Sequence, residues 1–261
     1  MVKAVLLDLD GTVYKGKTAI PGANETMEKL REKGYRLFFV TNAATRSRVG
    51  VVEKLAGMGI HAEEKEMYCT TYAAGRYITK NHPGKTVFCI GEQGMKDEFA
   101  KHGITVVGDE SAEIVVVGLD RTIDYKKLSI GYRAIEKGAE FIGTNGDVIY
   151  PVEDGFLPGA GAMVAAVESC TEKKAFIIGK PDTYFAELIN EESKLDKIDM
   201  IIVGDRLDTD IRFGKNTGIK SVLVLTGVST KEDAEKSKDN PDYIIETVNE
   251  LPELLEKISP S

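Results

Sequence analysis

The chain has 261 residues, 34 of them Lys or Arg and 42 Asp or Glu, for a net charge of -8. That length suits one large domain or two of medium size, and an acidic balance without a basic stripe argues against a nucleic-acid partner. With 42% hydrophobic and 29% charged residues the chain reads as globular. No apolar run approaches the ~20 residues of a membrane span, and the start turns acidic too soon for a signal peptide. Cys69, Cys89 and Cys170 are odd in number and lack paired spacing. They fit free thiols in a reducing compartment, so a cytoplasmic protein is expected.

The first element is an apolar, β-branched run at residues 2–7. Residues 13–20 read as a short hairpin or flap. Residues 24–33 form a helix, entered through Pro21-Gly22 and left at Gly34. Residues 35–40 are the next apolar run, and residues 45–56 the next helix, closed by Gly57 and Gly59. Between about residues 70 and 174 the rhythm changes. Strands are expected at 86–90, 114–117 and 140–142, a helix at 125–137, and glycines at many corners. The first rhythm then returns, with strands at 175–178, 199–203, 221–225 and 242–245 and helices at 183–193, 210–217 and 248–258. Strand–helix alternation of this kind implies a parallel sheet covered by helices on both faces. The expected fold is α/β: a Rossmann-like, doubly wound core from residues 1–70 plus 176–261, with an inserted α/β cap at 71–175.

Four apolar runs end in polar groups. Leu7 is followed by Asp8, with Asp10-Gly11-Thr12 next; Val40 by Thr41-Asn42; Gly179 by Lys180; and Gly204 by Asp205. In a parallel sheet the C-terminal strand ends share one edge, where ligands bind. These residues, remote in sequence, are therefore expected to meet. Asp8, Asp10 and Asp205 in one crevice would repel one another, and a divalent cation relieves that repulsion. An all-oxygen ligand set favours Mg²⁺, which takes one or two carboxylates, several waters and a substrate phosphate. Thr41, Asn42 and Lys180 offer donors for phosphate oxygens. A metal, a carboxylate nucleophile and a lysine describe phosphoryl transfer through an aspartyl-phosphate.

Asp8-Leu9-Asp10-Gly11-Thr12, Thr41-Asn42, Gly179-Lys180-Pro181 and Gly204-Asp205 with Asp210 resemble the four motifs of the haloacid dehalogenase-like (HAD) phosphatases. The insertion, with Thr144-Asn145-Gly146-Asp147 and Pro158-Gly159-Ala160-Gly161, is similar to that of the NagD / p-nitrophenylphosphatase-like subfamily. The resemblance implies Mg²⁺-dependent hydrolysis of small phosphate monoesters of the sugar phosphate, nucleotide, phosphoglycolate or aryl phosphate type. It implies Asp8 as nucleophile and Asp10 as general acid and base. It also implies Mg²⁺ on Asp8, the Asp10 carbonyl and Asp205, with Asp210 steadying the metal waters. Thr41, Asn42 and Lys180 would bind phosphate. Asn145 and Asp147 are candidate substrate contacts in a cap that closes over the crevice and admits only a small phosphorylated metabolite. Ala43 and Gly146 stand where many relatives have Asn and Pro, which bears on the substrate more than on the reaction. Asp8 is expected to be ionised at its ordinary pKa, and Asp10 to be raised. The oligomeric state is open, with a homodimer through the cap as one arrangement.

Other readings compete. Residues 11–18 match the P-loop pattern GxxxxGK[ST] of nucleotide triphosphatases. However, a P-loop runs straight into a helix, and Pro21 disfavours helix at Ile20. A calcium loop fails because Ala19 stands where its twelfth-position Glu belongs. A phospho-acceptor receiver domain shares the acids, Thr and Lys but has no use for the insertion. Asp208 reads as a solvated or capping acid. Gly159 and Gly161 lack the third glycine of a dinucleotide fingerprint, and close helix packing explains them better. His61, His82 and His102 read as surface residues.

Overall fold

The structure, a computed structural model, describes residues 2–152 and 155–258. In chain order its elements are β1 (Ala4–Leu7), β2 (Tyr14–Lys15), β3 (Thr18–Ala19), α1 (Ala23–Glu32), β4 (Arg36–Thr41), α2 (Arg48–Ala56), β5 (Met67–Cys69), α3 (Thr70–Asn81), β6 (Val87–Ile90), α4 (Gln93–Lys101), β7 (Ile114–Val117) and α5 (Tyr125–Glu136). They continue as β8 (Glu140–Gly143), β9 (Ile149–Val152), β10 (Gly155–Pro158), α6 (Ala160–Thr171), β11 (Phe176–Ile177), α7 (Tyr184–Ser193), β12 (Met200–Gly204), α8 (Arg212–Thr217), β13 (Lys220–Val224), α9 (Lys231–Lys236), β14 (Tyr243–Ile245) and α10 (Leu251–Ile258). The chain divides into two compact units. One is Met1–Thr41, Val52–Tyr68 and Lys180–Ser261; the other is Asn42–Val51 and Cys69–Gly179.

The first unit is built on a six-stranded sheet in the order β14-β13-β12-β1-β4-β5. Counting only these strands along the chain, the order is 3-2-1-4-5-6 from the β5 edge, the doubly wound arrangement. β1 pairs parallel with both β12 and β4, Leu7 lying opposite Val203 on one side and Phe39 on the other. Ala4, Val5, Leu6 and Leu7 are all fully buried, as expected for a strand with neighbours on both edges and helices on both faces. The winding reverses between β1 and β12, so this is where a crevice opens at the C-terminal strand ends.

The second unit has its own sheet, β11-β8-β7-β6, with every pairing parallel. Its core is packed from Phe88, Ile90, Val115, Val117, Ala134, Phe141, Val164 and Val167. β9 and β10 form a separate antiparallel pair.

The boundary differs from the sequence expectation. The run at 175–178, expected as a strand of the first sheet, pairs instead with β8, Phe176 opposite Ile142 and Ile177 opposite Gly143. With only two residues in β11, its own pattern carries no information about which sheet it joins. Residues 42–51 likewise belong to the second unit. Thr70 Oγ1 donates to the Ala43 carbonyl and Thr71 Oγ1 to the Arg46 carbonyl, while Glu98 accepts from the Arg48 amide. α2 starts at Arg48 rather than 45, because the Ser47 hydroxyl accepts from the Gly50 amide and caps it. Among the described residues no helix is long and apolar enough to cross a membrane, and all three cysteines are free thiols.

Candidate active site

Asp8 is the first residue after the buried β1, and its amide donates to the Val203 carbonyl at 2.8 Å, extending the ladder with β12 by one step. Asp205 directly follows Gly204, the end of β12. The two acids therefore stand at adjacent strand ends where the winding reverses. Between Asp205 and α8 the chain makes a π-helical turn, Leu207–Ile211, a form often found at functional sites. Asp210 lies in that turn, and one of its oxygens accepts from the Arg206 amide at 3.1 Å.

Lys180 ties these acids together. It follows β11 by three residues and is 1% exposed. Its Nζ donates to Asp8 Oδ1 at 2.6 Å, to Asp210 Oδ1 at 2.6 Å and to the Val40 carbonyl at 2.7 Å. An ammonium has three protons, and three acceptors converge on it. One carboxylate oxygen each from Asp8, Asp205 and Asp210 lie within 4.8 Å of one another.

Burial is the largest influence on the charges of Asp8, Asp205 and Lys180. It raises Asp8 well above the ordinary carboxylate range; Lys180 opposes this, and the neighbouring Asp210 and Asp205 add to it. The expectation of an ordinary pKa for Asp8 is therefore overturned, because strand packing desolvates the group. Asp205 is pushed up to about 7 by burial and by Asp210, against the Val228 amide and Lys180. Burial pulls the Lys180 ammonium down, but the charges of Asp210 and Asp8 outweigh it and raise the ammonium above its ordinary range. Such a cluster lacks positive charge. Among the described residues Asp205 Oδ1 is buried and has no hydrogen-bond partner, and the donor set is all oxygen. Both observations fit a hard divalent cation such as Mg²⁺.

Asp10 lies two residues on, at the exposed rim. Its carboxylate accepts from the Gly16 amide at 3.3 Å. The protein on its inner flank desolvates it and raises its pKa, opposed by that hydrogen bond and by Lys54 and Lys15. Its side chain is not part of the three-acid cluster. Gly11 makes the turn possible: its φ is +88°, and a Cβ there would come 2.4 Å from Asp205 Oδ2. β2 and β3 form the expected short hairpin, and Lys54 lies over the Tyr14 ring at 3.9 Å. Thr18 sits in β3, not at the start of a helix, so residues 11–18 lack P-loop geometry.

Thr41 ends β4 and is buried in the first unit. Asn42, Asn145 and Asp147 all belong to the second unit. There Asn42 Nδ2 donates to Asp147 Oδ2 at 3.0 Å, and Asn145 Nδ2 donates to the Asn42 carbonyl at 2.8 Å. Asp208 pairs with Arg206 at 2.8 Å and stands outside the acidic cluster. Sequence reasoning missed the loop after β13. The Thr226 hydroxyl donates to the Gly11 carbonyl at 2.5 Å, and the Val228 amide to Asp205 Oδ2 at 2.7 Å. The signal was available: the run at 221–225 also ends in a polar residue, as the other four did.

The chain matches known proteins along most of its length. Residues 5–105 match the family model for haloacid dehalogenase-like hydrolases, and residues 177–251 match a second, HAD-hydrolase-like model. An acid sugar phosphatase of Staphylococcus epidermidis is 40% identical over 255 residues, covering 98% of both chains. Among solved structures, the p-nitrophenyl phosphatase of Archaeoglobus fulgidus superposes with a TM-score of 0.93 at 36% identity, covering 97% of this chain and 99% of its own. A glycerol phosphate phosphatase of Mycobacterium tuberculosis, in complex with magnesium, gives 0.89 at 32% identity, covering 96% and 76%. A NagD-type protein gives 0.84 at 34%, covering 92% and 95%.

Proposed function

The chain belongs to the haloacid dehalogenase-like hydrolase family, in its NagD-like branch, and from that membership we propose that it is a phosphatase of small phosphate monoesters acting through Asp8. The supporting observation is the Lys180 ammonium bridging Asp8 and Asp210 at 2.6 Å each, beside the unpartnered buried oxygen of Asp205.

Asp8 attacks phosphorus with its carboxylate oxygen. Lys180 favours the ionised form of Asp8 that this requires, against the burial that would protonate it. The leaving alkoxide takes its proton from Asp10, whose raised pKa suits a donor. Asp10, now ionised, takes a proton from water; that water attacks the phosphorus of the aspartyl-phosphate, releasing phosphate and restoring Asp8. Asp8, Asp205 and the Asp10 carbonyl would hold Mg²⁺, which when bound supplies positive charge to the phosphoryl oxygens. Asp210 does not need to be a ligand: its oxygens serve Lys180 and the Arg206 amide. Thr41 and Asn42 are the proposed donors to phosphate. The second unit is read as the inserted cap, with Asn145 and Asp147 as its candidate substrate contacts.

The relatives are named for sugar, nitrophenyl and glycerol phosphates, and we propose a phosphorylated sugar or polyol as substrate. Release of phosphate from p-nitrophenyl phosphate in Mg²⁺ tests the reaction. Asp8→Asn is expected to abolish it while the circular dichroism spectrum stays that of the wild type. Undiminished turnover by that variant would remove Asp8 from the nucleophile's role. A panel of phosphorylated metabolites, read as kcat/KM, tests the substrate class.

A further inference from the structure

The Asp205 carboxylate is held in a narrow slot. A Cβ on Gly227 would come 1.9 Å from Asp205 Oδ2, and a Cβ on Gly11 would come 2.4 Å from the same atom. The carboxylate thus lies between two bare backbones from loops more than two hundred residues apart in sequence. The Val228 amide fixes Oδ2 at 2.7 Å, leaving Oδ1 buried and without a partner among the described residues. Further hydrogen bonds clamp the slot. The Thr226 hydroxyl donates to the Gly11 carbonyl at 2.5 Å. The Ser229 amide donates to the Asp205 carbonyl at 3.1 Å, and Ser229 Oγ accepts from the Leu207 amide at 3.1 Å.

From this we infer that Thr226 and Gly227 are positioning residues that present Asp205 to the divalent cation through a single oxygen, and so set both the affinity for Mg²⁺ and its preference over Ca²⁺. The inference rests on the metal reading given above. The physical ground is coordination geometry. Mg²⁺ demands a near-ideal octahedron, which suits ligands that each give one oxygen. Ca²⁺ accepts about six to eight oxygens in a flexible geometry, often with a carboxylate using both. With Oδ2 committed to a backbone amide and flanked by two glycines, Asp205 is held to the one-oxygen mode. Gly227 has no room for a side chain, and Thr226 keeps the Gly11 wall in place. Residues that orient a metal ligand commonly change affinity by about 10–100-fold when altered.

The test is calorimetric titration of metal-free protein with MgCl₂ and, separately, CaCl₂, alongside Tm in EDTA. Wild type is expected to bind Mg²⁺ more tightly than Ca²⁺. Gly227→Ala should weaken Mg²⁺ binding by roughly tenfold or more and Ca²⁺ binding much less, narrowing the preference. Thr226→Val should move both values in the same sense, and Thr226→Ser should restore them; this pair decides the matter if Gly227→Ala does not fold. A lowered Tm in EDTA with wild-type dissociation constants for both ions would show a merely structural loop and overturn the inference. Asp205→Asn losing Mg²⁺ binding while Thr226→Val and Gly227→Ala keep it would overturn the inference alone. Absence of Mg²⁺ binding by wild type would overturn the metal reading and the inference with it.

Discussion

Lys180 satisfies three acceptors at 2.6–2.7 Å, and they are arranged around a compact ammonium. A planar guanidinium presents its donors in a fork and is not a substitute for such a point charge. Lys180→Arg is therefore expected to lower kcat by about 100-fold or more, close to the loss from Lys180→Gln, as for other groups that stabilise charge in the reacting centre; recovery of most of the activity by Arg would show that charge alone suffices. Another buried carboxylate, Asp120 in the second unit, is held differently. Burial pushes it up, but Lys127 Nζ at 2.7 Å and the Thr122 hydroxyl and amide bring it below the ordinary carboxylate range. An acid lowered on folding contributes stability above its unfolded pKa of about 3.9 and loses it as pH falls through the folded value. Asp120→Asn should accordingly cost about 2 kcal/mol at pH 7, and the gap from wild type should narrow below about pH 4. Thermal unfolding of both proteins at the two pH values checks this, and an undiminished gap in acid would exclude the ion pair as its source.

At the level of elements, the strand ends carried most of what could be read in advance. β1 is a fully apolar run, so Asp8 marked its exit, and the same reasoning reached Asp205 after β12. Lys180 was reached by an argument that was only half right. It does join Asp8, but the strand preceding it pairs with β8, because a two-residue strand has no periodicity to declare its sheet. Asn42 was grouped with Thr41, its neighbour in sequence, yet hydrogen bonds join it to Asn145 and Asp147. Such contacts are set by loops whose course no local pattern encodes. α3 and α4 were not anticipated. Thr70, Thr71, Tyr72, Ala73 and Ala74 are buried in succession, so α3 has no polar stripe in its first turn and a half. The core of the first sheet is a firmer basis for prediction. Leu6 is fully buried in the central strand, and Leu6→Ala should cost about 3 kcal/mol, measured by urea unfolding. A loss below 1 kcal/mol would mean that the site relaxes to fill the space.

At the scale of the molecule, a cation that binds only the folded chain stabilises it by mass action. Mg²⁺ at a hundredfold excess over its dissociation constant should add about 2.7 kcal/mol, seen as a rise in Tm that EDTA reverses. EDTA should also silence phosphate release, and excess Mg²⁺ restore it; full turnover in chelator would take the metal out of the reaction. The position of β1 has a further bearing, on biosynthesis. This strand leaves the ribosome well before β12, for which one of its two edges waits, Ala4 pairing with Met200. Until the chain between β1 and β12 has been translated, the nascent protein carries an apolar ribbon with one side unsealed. Long-range pairing of this kind slows folding and prolongs exposure to aggregation, so demand for chaperones should be greatest before translation reaches β12.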